Sequence, residues 1–160
     1  MNKDNCAAFC IASGMFSGLS PRAPGTVGSL AAIPLWLALY YCGAWTNWPI
    51  RIFAVITLVG LGIWASSVVM KNSPDVEDPQ YIVVDEWAGM WISFLALSEP
   101  STLGVLLVLG WFRFFDITKL GPIGWAEKLP GAYGVMADDC VAGILAIPMV
   151  LLCQMGIGSI

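Results

Sequence analysis

Two pairs of adjacent carboxylates precede long apolar runs in this chain. Asp85 and Glu86 stand before one apolar segment, and Asp138 and Asp139 stand before the last one. Charge beside a hydrophobic segment is unfavourable to bury, so a chain keeps it where the charge binds a cation, pairs with a base or takes part in a reaction. The two acidic pairs are therefore the first candidates for a functional site.

A third charged group lies between these pairs in the sequence. Arg113, Asp116 and Lys119 follow one another at intervals of three residues, which places them on one face of a helix. Arginine and lysine suit phosphate oxygens, and carboxylates suit hard divalent ions such as Mg²⁺. The combination favours metal-assisted phosphate chemistry. Each group also has a purely structural interpretation, as a helix-end charge or an ion-pair ladder.

The residue types that are missing narrow this chemistry further. The chain has no histidine, which excludes histidine nucleophiles and bases. No cysteine is followed by arginine six positions later, which excludes the loop of cysteine phosphatases, and no Asp-x-Asp pair is present. Residues 25–29 (Gly-Thr-Val-Gly-Ser) offer backbone N–H groups to an anion at a helix start, although the lysine of a Walker loop is missing.

The composition is that of a membrane protein. Hydrophobic residues make up 58% and charged residues 11% of the 160 residues, whereas about a quarter of a soluble domain is charged. We expect an all-α polytopic membrane bundle forming a single domain over residues 1–160, with about five spanning or partly spanning helices after a short N-terminal helix at residues 5–14. The net charge of −4 argues against a nucleic-acid partner.

The apolar runs define a topology that places most charges on one side. They cover residues 27–45, 50–70, 85–97, 103–115 and 140–157. Alternating loops put every lysine and arginine except Arg51, and every acid except Glu99, on the same side. The positive-inside rule makes that side cytoplasmic. Arg51 is expected to extend along the end of its run toward the aqueous boundary.

Four sequence blocks resemble the phosphatidylglycerophosphatase A family. They are residues 17–34, 82–92, 112–119 and 134–143, in the order and spacing of the family. The resemblance covers about residues 17–147. It implies Mg²⁺-dependent removal of the terminal phosphate from phosphatidylglycerophosphate, giving phosphatidylglycerol, by a multi-pass protein of the bacterial inner membrane. Its partners would be the phospholipid substrate and the bilayer.

The resemblance also implies roles for individual residues. The metal-binding and catalytic acids would be Asp85, Glu86, Asp116, Asp138 and Asp139, with Asp78 as a further metal candidate. The phosphate-binding residues would be Arg22, Thr26, Ser29, Arg113 and Lys119. A small cation transporter that uses the clustered acids is the alternative, and it requires acids deep within the spans. The sequence leaves open the nucleophile (water or carboxylate), the base, the number of metal ions and the oligomeric state.

Overall fold

The chain forms seven α-helices and no strand within residues 3–72 and 79–157, which the computed structural model describes. The helices are α1 (Lys3–Ala12), α2 (Pro24–Tyr41), α3 (Trp48–Asn72), α4 (Val84–Ser93), α5 (Thr102–Thr118), α6 (Ile123–Ala126) and α7 (Ala132–Ile157). Short 3-10 turns lie at Ser17–Leu19, Ala44–Thr46 and Phe94–Ala96. The predicted all-α fold is confirmed.

Helix α4 lies at the centre of the bundle, with α2, α3, α5 and α7 around it. Every residue from Trp87 to Ser93 is buried, so this stretch is enclosed on all sides, as expected for a core helix. Asp85 and Glu86 fall in the first turn of α4, where negative charge interacts favourably with the helix dipole. The first acidic pair therefore lies at the start of a core helix, as the sequence predicted.

Glycine allows α4 and α7 to pack with their backbones in contact. A Cβ atom added at Gly143 would overlap the carbonyl oxygen of Gly89, and one added at Gly89 would lie 2.7 Å from the carbonyl oxygen of Asp139. The Ser93 hydroxyl is shared between the carbonyl oxygens of Gly89 (2.8 Å) and Gly143 (3.3 Å). The two helices therefore pack closely behind the acids, and α7 lies directly against α4.

Residues 13–23 join α1 to α2 and pack on the approach to α4. The Val83 N–H donates to the Ala12 carbonyl at 2.8 Å. Gly18 lies so close to the carbonyl group of Tyr81 that no side chain would fit there. These contacts fix residues 81–83, and with them the first turn of α4.

Aromatic side chains fill the end of the bundle at the C-terminus of α4, the aromatic end. Trp36 stacks on Phe94, with ring centroids 4.0 Å apart. Arg51 is 5% exposed, and its guanidinium donates to the carbonyl of Trp45 and, at 3.2 Å, to that of Leu97. The expectation that Arg51 reaches the aqueous boundary is wrong, because carbonyl groups left free where helical segments end satisfy the guanidinium inside the protein.

The outward faces of the long helices are apolar. The exposed large side chains include Phe53, Ile56, Leu61 and Trp64 on α3, and Tyr133, Ile144, Leu151 and Met155 on α7. By length and composition, α3 and α7 are the helices in the described part of the chain that could cross a membrane, which supports membrane association. About five spanning or partly spanning helices were expected. This number is not confirmed, since a full span takes about 20 residues and α4 has only 10.

Helix α7 begins earlier than the sequence predicted. It starts at Ala132 rather than at Cys140, so Asp138 and Asp139 lie about two turns inside the helix. The apolar run starts only after these acids, and for that reason hydrophobicity placed the helix start too late. The consequence is that the second acidic pair is held by regular helix on both sides, not by a loop. Helix α6, in the preceding segment, was not predicted.

Candidate active site

A cavity of about 870 Å³ opens at the acid-bearing end of the bundle, the acidic end. Its walls come from the starts of α2 and α4, the end of α5, the segment after α6 and the first turns of α7. Six carboxylates and two cations line it: Asp85, Glu86, Asp116, Glu127, Asp138, Asp139, Arg113 and Lys119. The three charged groups that the sequence singled out therefore meet in one cavity.

Three of these carboxylates lie close enough to share one ion. Oxygen atoms of Asp85, Glu86 and Asp139 all lie within 4.8 Å of one another. Asp139 is 3% exposed, and Glu86 Oε2 is buried without a hydrogen-bond partner. Like charges at this distance repel, and a buried oxygen without a partner is unfavourable. A set of carboxylate oxygens fits a hard cation such as Mg²⁺ placed between these three side chains.

The two cations of the cavity pair with the other acids. Arg113 Nη1 lies 2.6 Å from Asp116 Oδ2 and 3.9 Å from Glu86 Oε1. Lys119 Nζ contacts the Asp138 carboxylate directly and lies 3.5 Å from Asp116 Oδ1. Asp116 therefore bridges both cations and positions them beside the three-carboxylate cluster. The guanidinium has five N–H donors, so Arg113 can bind Asp116 and a phosphate oxygen together.

The start of α2 adds backbone donors to the cavity. Its N-cap residue, Ala23, has a positive φ of 48°, and no side chain caps the helix. The amides of Gly25 and Thr26 in the first turn have no partner within the helix, so they can donate to an anion. A Cβ atom at Gly25 would overlap Glu86 Oε1 and lie 3.2 Å from Arg113 Nη1. Glycine at this position brings the helix start against the charged groups.

Burial and neighbouring charges alter the protonation of the cavity residues. Burial, and then the charges of Glu86 and Asp139, raise the pKa of the Asp85 carboxyl well above its ordinary value. Burial also raises the pKa of Glu86, against the opposing effects of a hydrogen bond with Asp85 and the charge of Arg113. A bound cation would lower the pKa of both carboxyl groups, so metal binding is coupled to proton release.

The pKa of Lys119 is shifted in the direction that keeps its ammonium group charged. Burial by itself would lower the pKa of its ammonium group, but the hydrogen bond and charge of Asp138 outweigh burial, and the pKa is raised. The charges of Asp139 and Asp116 add to this effect. A positive charge is therefore held at this wall of the cavity throughout the physiological pH range.

Only some of the residues that were expected to bind phosphate line the cavity. Thr26, Arg113 and Lys119 line the cavity, whereas Arg22 is exposed and does not. Ser29 is fully buried, and its hydroxyl donates to the Gly25 carbonyl at 2.8 Å, so it shapes the start of α2 and does not face the cavity. Asp78, the further metal candidate, lies outside the described residues.

Glu127 is a cavity residue to which the sequence analysis gave no role. It reaches the cavity because the chain folds back after α6, and no local pattern marks this fold. The available signal is composition, since Glu127 and Lys128 are the only charges between Leu120 and Ala137.

Sequence comparison finds a family that covers most of the chain. The family model of phosphatidylglycerophosphatase A matches residues 10–154. No solved structure matches the chain.

Two of three similar proteins carry the name of this family, and the third carries another name. The phosphatidylglycerophosphatase A of Escherichia coli is 36% identical over 139 residues, which cover 85% of this chain and 77% of that protein. The phosphatidylglycerophosphatase A of Haemophilus influenzae is 35% identical and covers 90% and 86%. A Bacteroides thetaiotaomicron protein provisionally named phosphatidylinositol-3-phosphatase is 35% identical and covers 99% and 100%. The chain therefore belongs to the phosphatidylglycerophosphatase A family.

Proposed function

We propose that the chain is an Mg²⁺-dependent lipid phosphatase that hydrolyses phosphatidylglycerophosphate to phosphatidylglycerol and phosphate. The observation that carries this proposal is the cluster of Asp85, Glu86 and Asp139 beside Arg113 and Lys119 in one cavity. The family, and the names of the E. coli and H. influenzae relatives, supply the substrate.

We place the protein in the bacterial inner membrane as a multi-pass protein, with the cavity toward the cytoplasm. Two long apolar helices support membrane association. The lysine and arginine residues supply the orientation, since Arg113 and Lys119 line the cavity and only Arg51 was assigned to the other side.

The negative charge of the cavity supports the proposal that a metal ion binds there. Six carboxylates and two cations line it, and the substrate adds a phosphate monoester and a phosphodiester. With its carboxylates ionised, such a cavity repels its substrate unless a further cation is bound. Asp85, Glu86 and Asp139 would hold Mg²⁺, which when bound polarises the phosphoryl group and favours attack on phosphorus.

The other cavity residues would bind the phosphate and handle protons. Arg113, Lys119 and the amides of Gly25 and Thr26 would donate to the phosphoryl oxygens, on which negative charge develops during transfer. An attacking water oxygen forms a bond to phosphorus as the bond to the lipid glycerol oxygen breaks. A cavity carboxylate takes the proton of the water, and the glycerol oxygen leaves as a hydroxyl group after gaining a proton.

Phosphate release by the purified protein tests the proposal. The substrates are phosphatidylglycerophosphate, phosphatidate and phosphatidylinositol 3-phosphate in mixed micelles, each with Mg²⁺ or with EDTA. We expect the fastest release from phosphatidylglycerophosphate, its loss in EDTA and its return with added Mg²⁺. Activity that survives in EDTA would contradict the proposed dependence on Mg²⁺. A preference for the phosphoinositide would move the substrate assignment to the one in the name of the Bacteroides relative.

A cation transporter is the alternative function. It would need acids along a path through the bundle, whereas the acids described above meet at one end and the aromatic end holds the buried Arg51. Cation flux into proteoliposomes without phosphate release would favour the transporter. Asp139→Asn protein is the matched control in both assays.

A further inference from the structure

The segment between α5 and α7, residues 119–131, has two different faces. On one face Glu127 and Leu129 line the cavity. On the other face Leu120 and Trp125 are 50% and 75% exposed, and Leu129 at the edge is 49% exposed. Leu129 lines the cavity, and Leu120 and Trp125 lie one and two residues from the cavity residues Lys119 and Glu127. The proposed hydrolysis uses none of these three apolar side chains.

The segment is held firmly against the bundle. Ile123 in α6 is fully buried in the core, which directs Trp125, two residues later, outward. Gly134 of α7 packs so closely on the carbonyl oxygens of Glu127 and Leu129 that no side chain would fit. The apolar face is therefore a fixed feature of the fold.

Helix α7 gives the depth of this segment relative to a bilayer. Tyr133, Ile144, Leu151 and Met155 are all exposed, and at 3.6 residues per turn they fall within about 40° of one another around the helix. The helix rises about 33 Å from Tyr133 to Met155, which is close to the hydrocarbon thickness of about 30 Å. With this stripe against acyl chains, Tyr133 and the adjoining segment lie at the headgroup boundary.

The rise per residue of α7 also places Asp139 below the headgroup boundary. Asp139 follows Tyr133 by six residues, which is about 9 Å along the axis, and at 3.6 residues per turn it lies about 120–160° around α7 from the residues of the apolar stripe. The cavity is thus sunk beneath the level of the exposed segment. A lipid headgroup would enter it by moving a short distance inward while its acyl chains stay in the bilayer.

We propose that Leu120, Trp125 and Leu129 form an interfacial wedge, which inserts into the headgroup layer of the bilayer and holds the cavity mouth where substrate lipids enter. The partner of this surface is the membrane that carries the substrate, because the exposed segment leads directly into α7, where the apolar stripe begins at Tyr133. Tryptophan is enriched at this boundary since its ring is both apolar and polar. The inference rests on the proposed lipid phosphatase activity.

The wedge is tested by comparing a lipid in a membrane with the same headgroup in solution. The variant is Leu120→Ser/Trp125→Ser, which changes two residues outside the cavity lining. We expect its apparent KM for long-chain phosphatidylglycerophosphate in vesicles to rise about tenfold. Its kcat/KM for a dissolved dihexanoyl analogue should equal that of the wild type. Tyr41→Ser is the matched control, because Tyr41 is 76% exposed at the other end of α2.

Fluorescence quenching locates Trp125 directly. The emission that Trp125→Phe loses relative to the wild type belongs to Trp125. We expect this component to be quenched by lipids brominated near the headgroup and protected from aqueous iodide. Full quenching by iodide in vesicles would overturn the wedge.

The kinetic outcomes separate the wedge from its rivals. An unchanged vesicle KM in the double variant overturns the wedge. Equal losses on both substrates would mean that the segment shapes the cavity, and loss of an oligomer with an unchanged lipid KM would make the surface a contact between copies; both results overturn the wedge. Wild-type protein that hydrolyses no phosphate lipid, but whose Trp125 is quenched by shallow bromine, would remove the proposed function and leave the membrane contact.

Discussion

The two ends of helix α4 treat buried charge in opposite ways. At the aromatic end, the guanidinium of Arg51 donates to two backbone carbonyl groups and lies 5.0 Å from the centre of the Trp48 ring. At the acidic end, Asp85, Glu86 and Asp139 face one another, and one oxygen of Glu86 has no partner. The first charge is satisfied by the fold itself, and the second group of charges is not.

This contrast separates a structural charge from a functional one. Neutral carbonyl groups can stabilise a buried cation without any ligand. A cluster of like charges lowers stability, and proteins retain such clusters where function requires them. Burial alone therefore does not mark a site in this bundle, since Arg51 and Asp139 are both buried. The distinguishing property is whether the partners of the charge lie within the protein.

The largest expected effect comes from neutralising one acid of the cluster. Asp139→Asn keeps the shape of the side chain and removes one charge from the metal position. We expect phosphate release to fall roughly a hundredfold or more, the scale seen when metal sites lose a supporting group. We expect the unfolding temperature in EDTA to stay the same or rise, because one of several closely spaced carboxyl groups that repel one another when ionised has been neutralised. Steady-state kinetics and thermal unfolding measure the two effects.

Glu127→Gln is the control for this variant. Glu127 lines the same cavity but is exposed and lies outside the three-carboxylate cluster. We expect a much smaller loss of activity from it and no change in the dependence on Mg²⁺. Equal losses in Glu127→Gln and Asp139→Asn would mean that general cavity charge, rather than one cation position, sets the rate.

The next largest effect is expected where α4 packs on α7, between the acidic end and the aromatic end of the bundle. Gly143→Ala places a Cβ atom on the carbonyl oxygen of Gly89, and backbone cannot move away as a flexible side chain can. We expect a loss of about 1–3 kcal/mol in the free energy of unfolding. Gly110→Ala is the control, since no atom lies within 4 Å of an added Cβ there, and alanine should stabilise this helix by up to about 1 kcal/mol. A Gly143→Ala protein with the same free energy of unfolding as the wild type would contradict the close packing of α4 on α7.

Features set by local sequence were predictable. Asp85 and Glu86 were placed correctly at a helix start because an apolar run follows them, and Arg113, Asp116 and Lys119 share one face because of their spacing. The all-helical class followed from the long apolar runs.

Features set by tertiary structure were not predictable. Ser29 is a local exception, since its hydroxyl donates to a carbonyl one turn earlier in α2 and so turns away from the cavity. Arg51 was satisfied in part by a carbonyl group far from it in sequence, at Leu97. Glu127 reached the cavity through a fold-back after α6 that leaves no periodic pattern. In each case the deciding partner was a backbone group or a fold-back, and neither is visible in side-chain patterns.

The contrast between the ends predicts opposite results for two arginine variants. Arg51→Met leaves two buried carbonyl groups without their donor, so we expect a loss of about 1–3 kcal/mol in the free energy of unfolding and an unchanged kcat. Arg113→Met removes a proposed phosphate donor, so we expect a higher KM. Asp116 keeps Lys119 as a partner, so we expect a smaller loss of stability than in Arg51→Met. A fall in kcat per folded molecule of Arg51→Met would show that the aromatic end takes part in catalysis.

The smallest effect is a dependence of stability on pH that exists only without metal. The carboxyl pKa values of Asp85 and Glu86 are raised in the folded protein from ordinary values of 3.8 and 4.5. The folded state therefore holds protons that the unfolded chain has released, and stability falls as pH rises from the unfolded values through the folded ones. We expect the unfolding temperature in EDTA to decrease between about pH 5 and pH 7, and saturating Mg²⁺ to remove or reverse this decrease. In EDTA, Asp85→Asn should reduce the decrease of the unfolding temperature with pH. An unfolding temperature that instead rises with pH in EDTA would mean that groups of the protein already stabilise these carboxylates, as backbone carbonyl groups stabilise Arg51.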